Sequence, residues 1–233
     1  MPDLRFAGHS GELGGYLAMP LAEGPHAGVV VIQDVFGLSD DIRMQADHLA
    51  AAGYLAFAPD LYSGRGLGCV VATMRASRSG SGPAYLDIEA ARNFLASREG
   101  CTGRIGIIGF CMGGGFALMC APAGDYLAAS VNYGEVPGDA PERLRGACPI
   151  VASYGRRDRG LRGRADRLEQ ALTSAGVAHD VKEYPDAAHS FMNRFNSGPL
   201  LTPLIHVAGF GYHHPSAEDA WRRILAFFAE HLR

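Results

Sequence analysis

A cysteine stands between glycines in the stretch Gly109-x-Cys111-x-Gly113, directly after an apolar run. A thiol at such a turn is a candidate nucleophile, because small flanking residues let a strand and a helix approach closely. The N–H of the next residue, Met112, and the start of a helix would stabilise negative charge on the sulfur or on an oxyanion. The alternatives are a buried cysteine that fills space and a dinucleotide-binding turn, although such turns usually follow the first strand.

A base and an acid for this nucleophile follow later in the chain. A nucleophile needs a base, and the base needs a group that orients it. Asp158 lies in the stretch ASYGRRD and His189 in KEYPDAAHSF, each shortly after a predicted strand. Because loops after parallel strands meet at one edge of a sheet, we expect Cys111, Asp158 and His189 to converge. Asp186 is the rival acid, but it lies only three residues before His189 and would approach the ring awkwardly.

The elements that must position these residues alternate between strands and helices along most of the chain. Continuous apolar runs such as AGVVVIQ and YLAFAP are typical of strands buried on both faces, and amphipathic segments such as DDIRMQADHLAAAG predict helices. This alternation predicts a mostly parallel sheet covered by helices on both faces. We interpret residues 1–233 as a single domain. Residues 61–82, rich in Gly and Ser, are predicted to be a long loop, and residues 196–215 an irregular segment that could cover a site.

Composition excludes several classes of function. The 233 residues carry a formal charge of −3 without a basic stripe, so nucleic acid is not expected as a partner. No apolar run approaches the ~20 residues needed to span a bilayer, and the N-terminus is too polar for a signal peptide, so we expect a cytoplasmic location. The five cysteines form no C-x-x-C pair, which argues against a disulfide framework, and no ligand spacing suggests a metal or other cofactor.

Taken in order, the stretches VVVIQDVFGLSDDIR, AGYLAFAPDLY, IGIIGFCMGG, SYGRRD and YPDAAHSF resemble the dienelactone hydrolase family of α/β-hydrolases. The resemblance covers most of the chain and implies the α/β-hydrolase fold. It also implies a catalytic triad of Cys111, His189 and Asp158, and an oxyanion hole made by the N–H groups of Val35 and Met112. Family members are monomeric, so a monomer is the expected state.

Two departures from the family pattern concern the thiol and the substrate. Where the family commonly has glutamate in QE-x-FG, this sequence has Asp34, which we predict to take the role of activating the thiol. The family's substrates carry a carboxylate that arginines hold, one of them expected four residues after the histidine. That position is Asn193, followed by Arg194; Arg75 and Arg78 are candidates for the other arginine.

The function implied is hydrolysis of a small-molecule ester or lactone, resembling dienelactone (carboxymethylenebutenolide), through a thioester on Cys111. Three alternatives stay open at this point. One is a general carboxylesterase or thioesterase, and another is a non-catalytic binding protein with the same fold. The third is a thiol redox sensor, which lacks a resolving cysteine nearby, because Cys120 lies nine residues further along the same predicted helix.

Overall fold

Eight strands form one sheet in the computed structural model, which describes residues 3–63, 66–194 and 211–233. The strands are β1 Asp3–Gly8, β2 Gly11–Ala18, β3 His26–Ile32, β4 Leu55–Pro59, β5 Cys101–Phe110, β6 Ala128–Asn132, β7 Ile150–Gly155 and β8 His179–Tyr184. Their order across the sheet is β1-β2-β4-β3-β5-β6-β7-β8. β1 and β2 pair antiparallel, whereas β3 to β8 are parallel to one another. The predicted mostly parallel sheet is confirmed.

Helices cover both faces of this sheet. They are α1 Asp40–Ala51, α2 Gly66–Ser79, α3 Pro83–Ala96, α4 Met112–Cys120, α5 Ala140–Arg143, α6 Arg164–Ala175 and α7 His214–Leu232. Strand β3 shows why two cores form, since successive side chains point to opposite faces. Val30 and Ile32 pack in the core that contains residues of α3, α4 and α6, whereas Val29 and Val31 pack in the core that contains residues of α1 and α7. All four side chains are fully buried.

The prediction of a long loop over residues 61–82 is wrong, because α2 occupies residues 66–79 of it. Glycine and serine lower the intrinsic helix propensity of this stretch, so its composition resembles that of a loop. Thr73 and Ala76, three residues apart on one face, are buried, and the helix packs against α3 and α4. Tertiary packing therefore stabilises a helix that propensity does not predict. Of the predicted irregular segment 196–215, residues 196–210 lie outside the described residues, and α7 begins at His214.

The topology brings six loops to one edge of the sheet. The carboxyl ends of β3 to β8 point the same way, because these six strands are all parallel. The loops that follow them carry the residues at which ligands usually bind in open α/β sheets. No helix in the described part of the chain is long and apolar enough to cross a membrane.

Candidate active site

Cys111 occupies a strained turn between β5 and α4. Its backbone has φ 54° and ψ −115°, a left-handed conformation that side-chain-bearing residues rarely adopt. Glycine is required on either side of it. A Cβ on Gly109 would lie 1.9 Å from the carbonyl oxygen of Gly113, and a Cβ on Gly113 would lie 2.3 Å from that of Ile32. The two glycines therefore let β3, β5 and α4 meet closely enough to hold the thiol at the edge of the sheet.

A close approach of two loops brings Asp158 and His189 together. Asp158 follows β7 and His189 follows β8, its parallel neighbour. At the end of β7, a Cβ on Gly155 would come within 2.5 Å of the carbonyl oxygen of Ala188, so glycine allows the His189 loop to lie against the strand. The N–H of Arg157 also donates to the carbonyl of Ala187 at 2.9 Å.

His189 lies between the thiol and a carboxylate. Its Nδ1 is 2.5 Å from Asp158 Oδ2, and its Nε2 is 3.1 Å from Cys111 Sγ. The other oxygen of Asp158, Oδ1, accepts from the N–H groups of Gly160 and Leu161 at 2.9 and 3.2 Å, which fixes the carboxylate. Because a carboxylate only accepts, Nδ1 carries a proton, and Nε2 faces the sulfur. Sequence reasoning placed these three residues together, and the structure does so too.

The protonated state of His189 is favoured in this arrangement. Burial lowers the pKa of the imidazole, but the hydrogen bonds with Asp158 and Cys111 oppose burial and raise the pKa to about 9. A histidine in contact with a cysteine sulfur on one side and a carboxylate on the other is the arrangement found around cysteine nucleophiles. Asp186, the rival acid, lies elsewhere: it is exposed and pairs with Arg157 at 2.6 Å.

The predicted oxyanion-hole residues border the same cavity as the thiol. Val35 and Met112 line a cavity of about 150 Å³ together with Cys111 and His189. Met112 is the first residue of α4, so its N–H has no carbonyl within the helix to bond. Val35 lies in a tight turn after β3, and its carbonyl accepts from Tyr62 Oη at 3.1 Å.

Asp34 belongs to a buried polar network behind this cavity. Its Oδ1 accepts from the N–H of Phe36 at 2.8 Å, and its Oδ2 lies 3.4 Å from Asn193 Nδ2. The same amide group donates to Asp41 Oδ2 at 2.5 Å, while Asn193 Oδ1 accepts from Tyr133 Oη. Asn193 thus joins two carboxyl groups that are both almost fully buried. The hydrogen-bond partners of Asp34 do not include the sulfur of Cys111, so its role in activating the thiol stays a prediction.

The environment of Asp34 favours its neutral form. Burial is the largest cause and, although the Phe36 N–H opposes it, the pKa of Asp34 rises to about 6, with Asp41 adding to the increase. Burial likewise raises the pKa of Asp41. His189 is the nearby charge that lowers the pKa of Asp34.

Replacing Asp34 by asparagine should flatten the pH dependence of stability. The folded protein keeps the Asp34 proton up to about pH 6, whereas the unfolded chain releases it near 3.8. The resulting stabilisation of the folded state is complete below the unfolded-state pKa and is lost as the pH rises through the folded-state pKa. Between pH 5 and 8 we expect the wild type to lose about 1 kcal/mol more than Asp34→Asn in the free energy of unfolding, measured with urea. Asp186→Asn, which changes an exposed carboxylate, should keep the wild-type pH dependence of the free energy of unfolding. If Asp34→Asn also keeps it, the raised pKa of Asp34 is contradicted.

Two of the predicted carboxylate-binding arginines lie away from the cavity. Arg75 is exposed on α2. Arg194 is exposed and stacks on Tyr212, with its guanidinium carbon 4.4 Å from the ring centroid. Neither is among the residues that line the cavity around Cys111. Arg78 lies in α2, and its side chain is outside the described part of the structure.

Sequence reasoning missed Asp41, Tyr133 and Glu135 as residues of the site. Tyr133 and Glu135 line the cavity. They directly follow β6, so the rule that located Asp158 and His189 could also have located them. Asp41 lies in the first turn of α1, where an acidic residue is ordinary, and gives no comparable signal. Within the described ranges, no three His, Cys, Asp or Glu side chains form a group that could hold a metal ion.

Nearly the whole chain matches a known protein family in sequence. The sequence model of the dienelactone hydrolase family matches residues 13–232. The chain belongs to the dienelactone hydrolase family. It is therefore an enzyme that hydrolyses ester or lactone bonds, and its substrate is a small molecule. The predicted family membership and the α/β-hydrolase fold are confirmed.

Relatives in this family share between a quarter and a third of their residues with the chain. A "putative carboxymethylenebutenolidase" of Salmonella typhimurium is 29% identical over 94% of this chain and 83% of the relative. The carboxymethylenebutenolidase of Rhodococcus opacus is 29% identical over 88% of this chain and 81% of the relative. The crystal structure of a "putative dienelactone hydrolase" from Klebsiella pneumoniae superposes with a TM-score of 0.80 at 26% identity, covering 98% of this chain and 97% of that one.

Proposed function

We propose that this dienelactone hydrolase family member cleaves its substrate through a cysteine nucleophile, with Cys111, His189 and Asp158 as the catalytic triad. The observation that carries the proposal is the position of His189, whose two ring nitrogens face Cys111 Sγ at 3.1 Å and Asp158 Oδ2 at 2.5 Å. A nucleophile, a base and a group that orients the base in hydrogen-bond contact are the constellation of acyl transfer. The strained backbone of Cys111 further supports a functional role for this turn.

The first half of the reaction forms a thioester. The Cys111 thiolate attacks the carbonyl carbon of the ester or lactone, and the carbonyl oxygen becomes an oxyanion. We assign the N–H groups of Val35 and Met112 as its donors, because both residues border the cavity beside the sulfur. As the tetrahedral intermediate collapses, the C–O bond to the leaving alkoxide breaks, and His189 Nε2 gives that oxygen its proton.

The second half returns the enzyme to its starting state. His189, now neutral, takes a proton from water, and the hydroxide formed attacks the thioester carbon. The C–S bond breaks, the carboxylic acid leaves, and the imidazolium and thiolate pair is restored. Asp158 keeps the Nδ1 proton in place throughout, which holds the ring in the tautomer that can serve the sulfur.

The substrate we propose is a small ester or lactone whose acyl group fits a cavity of about 150 Å³. A dienelactone-like substrate is the family's example. The second candidate is a general carboxylesterase or thioesterase activity, which is favoured by the positions of Arg75 and Arg194 outside the cavity. Both candidates use the same chemistry and differ in the group attached to the acyl carbon.

Trapping the acyl group on the enzyme tests the nucleophile directly. After rapid mixing with excess p-nitrophenyl acetate and acid quenching, mass spectrometry should find the acetyl group on the peptide that contains Cys111. At pH 7, iodoacetamide should also label Cys111 at least about tenfold faster than Cys101, a partly exposed cysteine remote from the histidine, because thiolate fraction controls the rate. Acetyl on another residue, or equal labelling of the two cysteines, would overturn the assignment.

A further inference from the structure

A carboxylate stands in the wall of the cavity around Cys111, whose lining is mostly apolar but also includes the hydroxyl groups of Ser77 and Tyr133. Apart from His189, Glu135 is the charged side chain among the described residues that line the cavity around Cys111. Apolar lining comes from Val35, Met74, Met112 and Leu161. A charge at this wall lies within a few ångströms of any group bound beside the thiol, so it acts directly on that group.

The fold holds Glu135 close to the nucleophile. It lies in the loop after β6, and β6 is the parallel neighbour of β5, which leads to Cys111. This loop packs tightly on the start of α4, since a Cβ on Gly114 would come within 2.9 Å of the Cα of Gly134. Glu135 therefore belongs to the framework of the elbow and not to a distant surface loop.

Glu135 forms an ion pair with Arg164, but the carboxylate is the member of the pair that faces the cavity. One of its oxygens, Oε1, accepts from Arg164 Nε at 2.5 Å. The Glu135 side chain is 44% exposed and that of Arg164 is 24% exposed. Arg164, at the start of α6, is not among the residues that line the cavity, so the group presented to a substrate at this wall is the carboxylate.

We propose that Glu135 is a specificity-determining residue that disfavours acyl groups bearing a carboxylate and favours neutral or cationic ones. This inference rests on the proposed function, because it concerns the acyl group that reaches Cys111. A cavity of about 150 Å³ is roughly 5 Å across, as its cube root gives, which is less than the screening length of about 8 Å at physiological salt. A substrate carboxylate inside it is therefore only weakly screened from Glu135. By the same reasoning, this enzyme should differ in substrate preference from an enzyme whose active site holds a carboxylated lactone.

A pair of esters with nearly equal shapes tests the proposal. Mono-p-nitrophenyl succinate carries a carboxylate where p-nitrophenyl butyrate carries a methyl group, and both release the same phenol. After correction for their rates in buffer alone, the wild type should have the higher kcat/KM for butyrate. Glu135→Gln should raise the succinate-to-butyrate ratio by about three- to tenfold, mainly through KM, with butyrate changed by less than about twofold. Arg164→Gln should lower the ratio, because it removes the compensating cation.

A neighbouring glutamate provides the control. Glu142 is exposed on the short helix α5, and it does not line the cavity. Glu142→Gln makes the same change in net charge, so it should leave the ratio unchanged. A wild type that prefers succinate, or a Glu135→Gln enzyme that loses both activities equally, would overturn the proposal. Failure of the proposed function has a different signature, since Cys111→Ala would then still hydrolyse both esters.

Discussion

Cys111→Ala is expected to lower kcat/KM for activated esters by about 10⁴-fold or more, because it removes the sulfur that lies 3.1 Å from His189 Nε2 and would carry the acyl group. The alanine variant should fold normally. Alanine, serine and cysteine all carry a Cβ, so the left-handed backbone at position 111 is equally strained in each. Hydrolysis of p-nitrophenyl acetate and of neutral lactones, with thermal unfolding as the check on folding, measures the effect.

Cys111→Ser should be intermediate, with a loss of about 10²- to 10³-fold at pH 7. A hydroxyl gives up its proton far less readily than a thiol, so attack by serine requires His189 to remove that proton as a neutral base during the reaction. Cys101→Ala, at the far end of β5, is the control and should retain full activity. Full activity in Cys111→Ala would exclude the thioester mechanism.

The location of the site could be predicted from the sequence because it depends on local patterns and on one topological rule. Apolar runs such as Val29 to Ile32 specify buried strands, and the glycines at 109 and 113 are required by contacts with backbone atoms. Once the strands are parallel, the loops that follow them must meet at one edge. Chain order then suffices to bring Asp158 and His189 to Cys111.

What could not be predicted depends on pairs of side chains that are distant in sequence. Asn193 bonds Asp41 across 152 positions and approaches Asp34 across 159. Nothing in the local pattern around Asp41 distinguishes it from an ordinary acidic residue at a helix start. The polar network behind the nucleophile therefore appears only when α1, β3 and the His189 loop are assembled. Helix α2 was missed for a related reason, since packing and not propensity stabilises it.

This network also shows how the departures at positions 34 and 193 accommodate one another. Asn193 carries no charge to balance a carboxylate, and burial, with Asp41 adding to it, raises the pKa of Asp34 to about 6. The orientation of the Asn193 amide is fixed, because its oxygen faces Tyr133 and its nitrogen faces two carboxyl groups. The two substitutions relative to the family pattern thus form one consistent local structure.

Asp158→Asn is expected to lower kcat by about 10³- to 10⁴-fold with little effect on stability. The new side chain has nearly the same shape, and its oxygen can still accept from the N–H groups of Gly160 and Leu161. Its NH₂ group would then face His189 Nδ1 and donate to it. The ring proton would move to Nε2, and that nitrogen could no longer take a proton from the thiol or from water. Steady-state kinetics at pH 7 to 8 measures the loss.

Asp186→Asn is the matched control, because Asp186 is the other carboxylate near the histidine in sequence. It is exposed and pairs with Arg157 at the surface, so its removal should change kcat by less than about threefold. The two variants differ in one further way. The Cys111 thiolate should react more slowly with iodoacetamide in Asp158→Asn, because the imidazolium next to the sulfur is lost, and should react at the wild-type rate in Asp186→Asn. An equal loss of activity in both variants, or a larger loss in Asp186→Asn, would show that Asp158 is not the residue that orients His189.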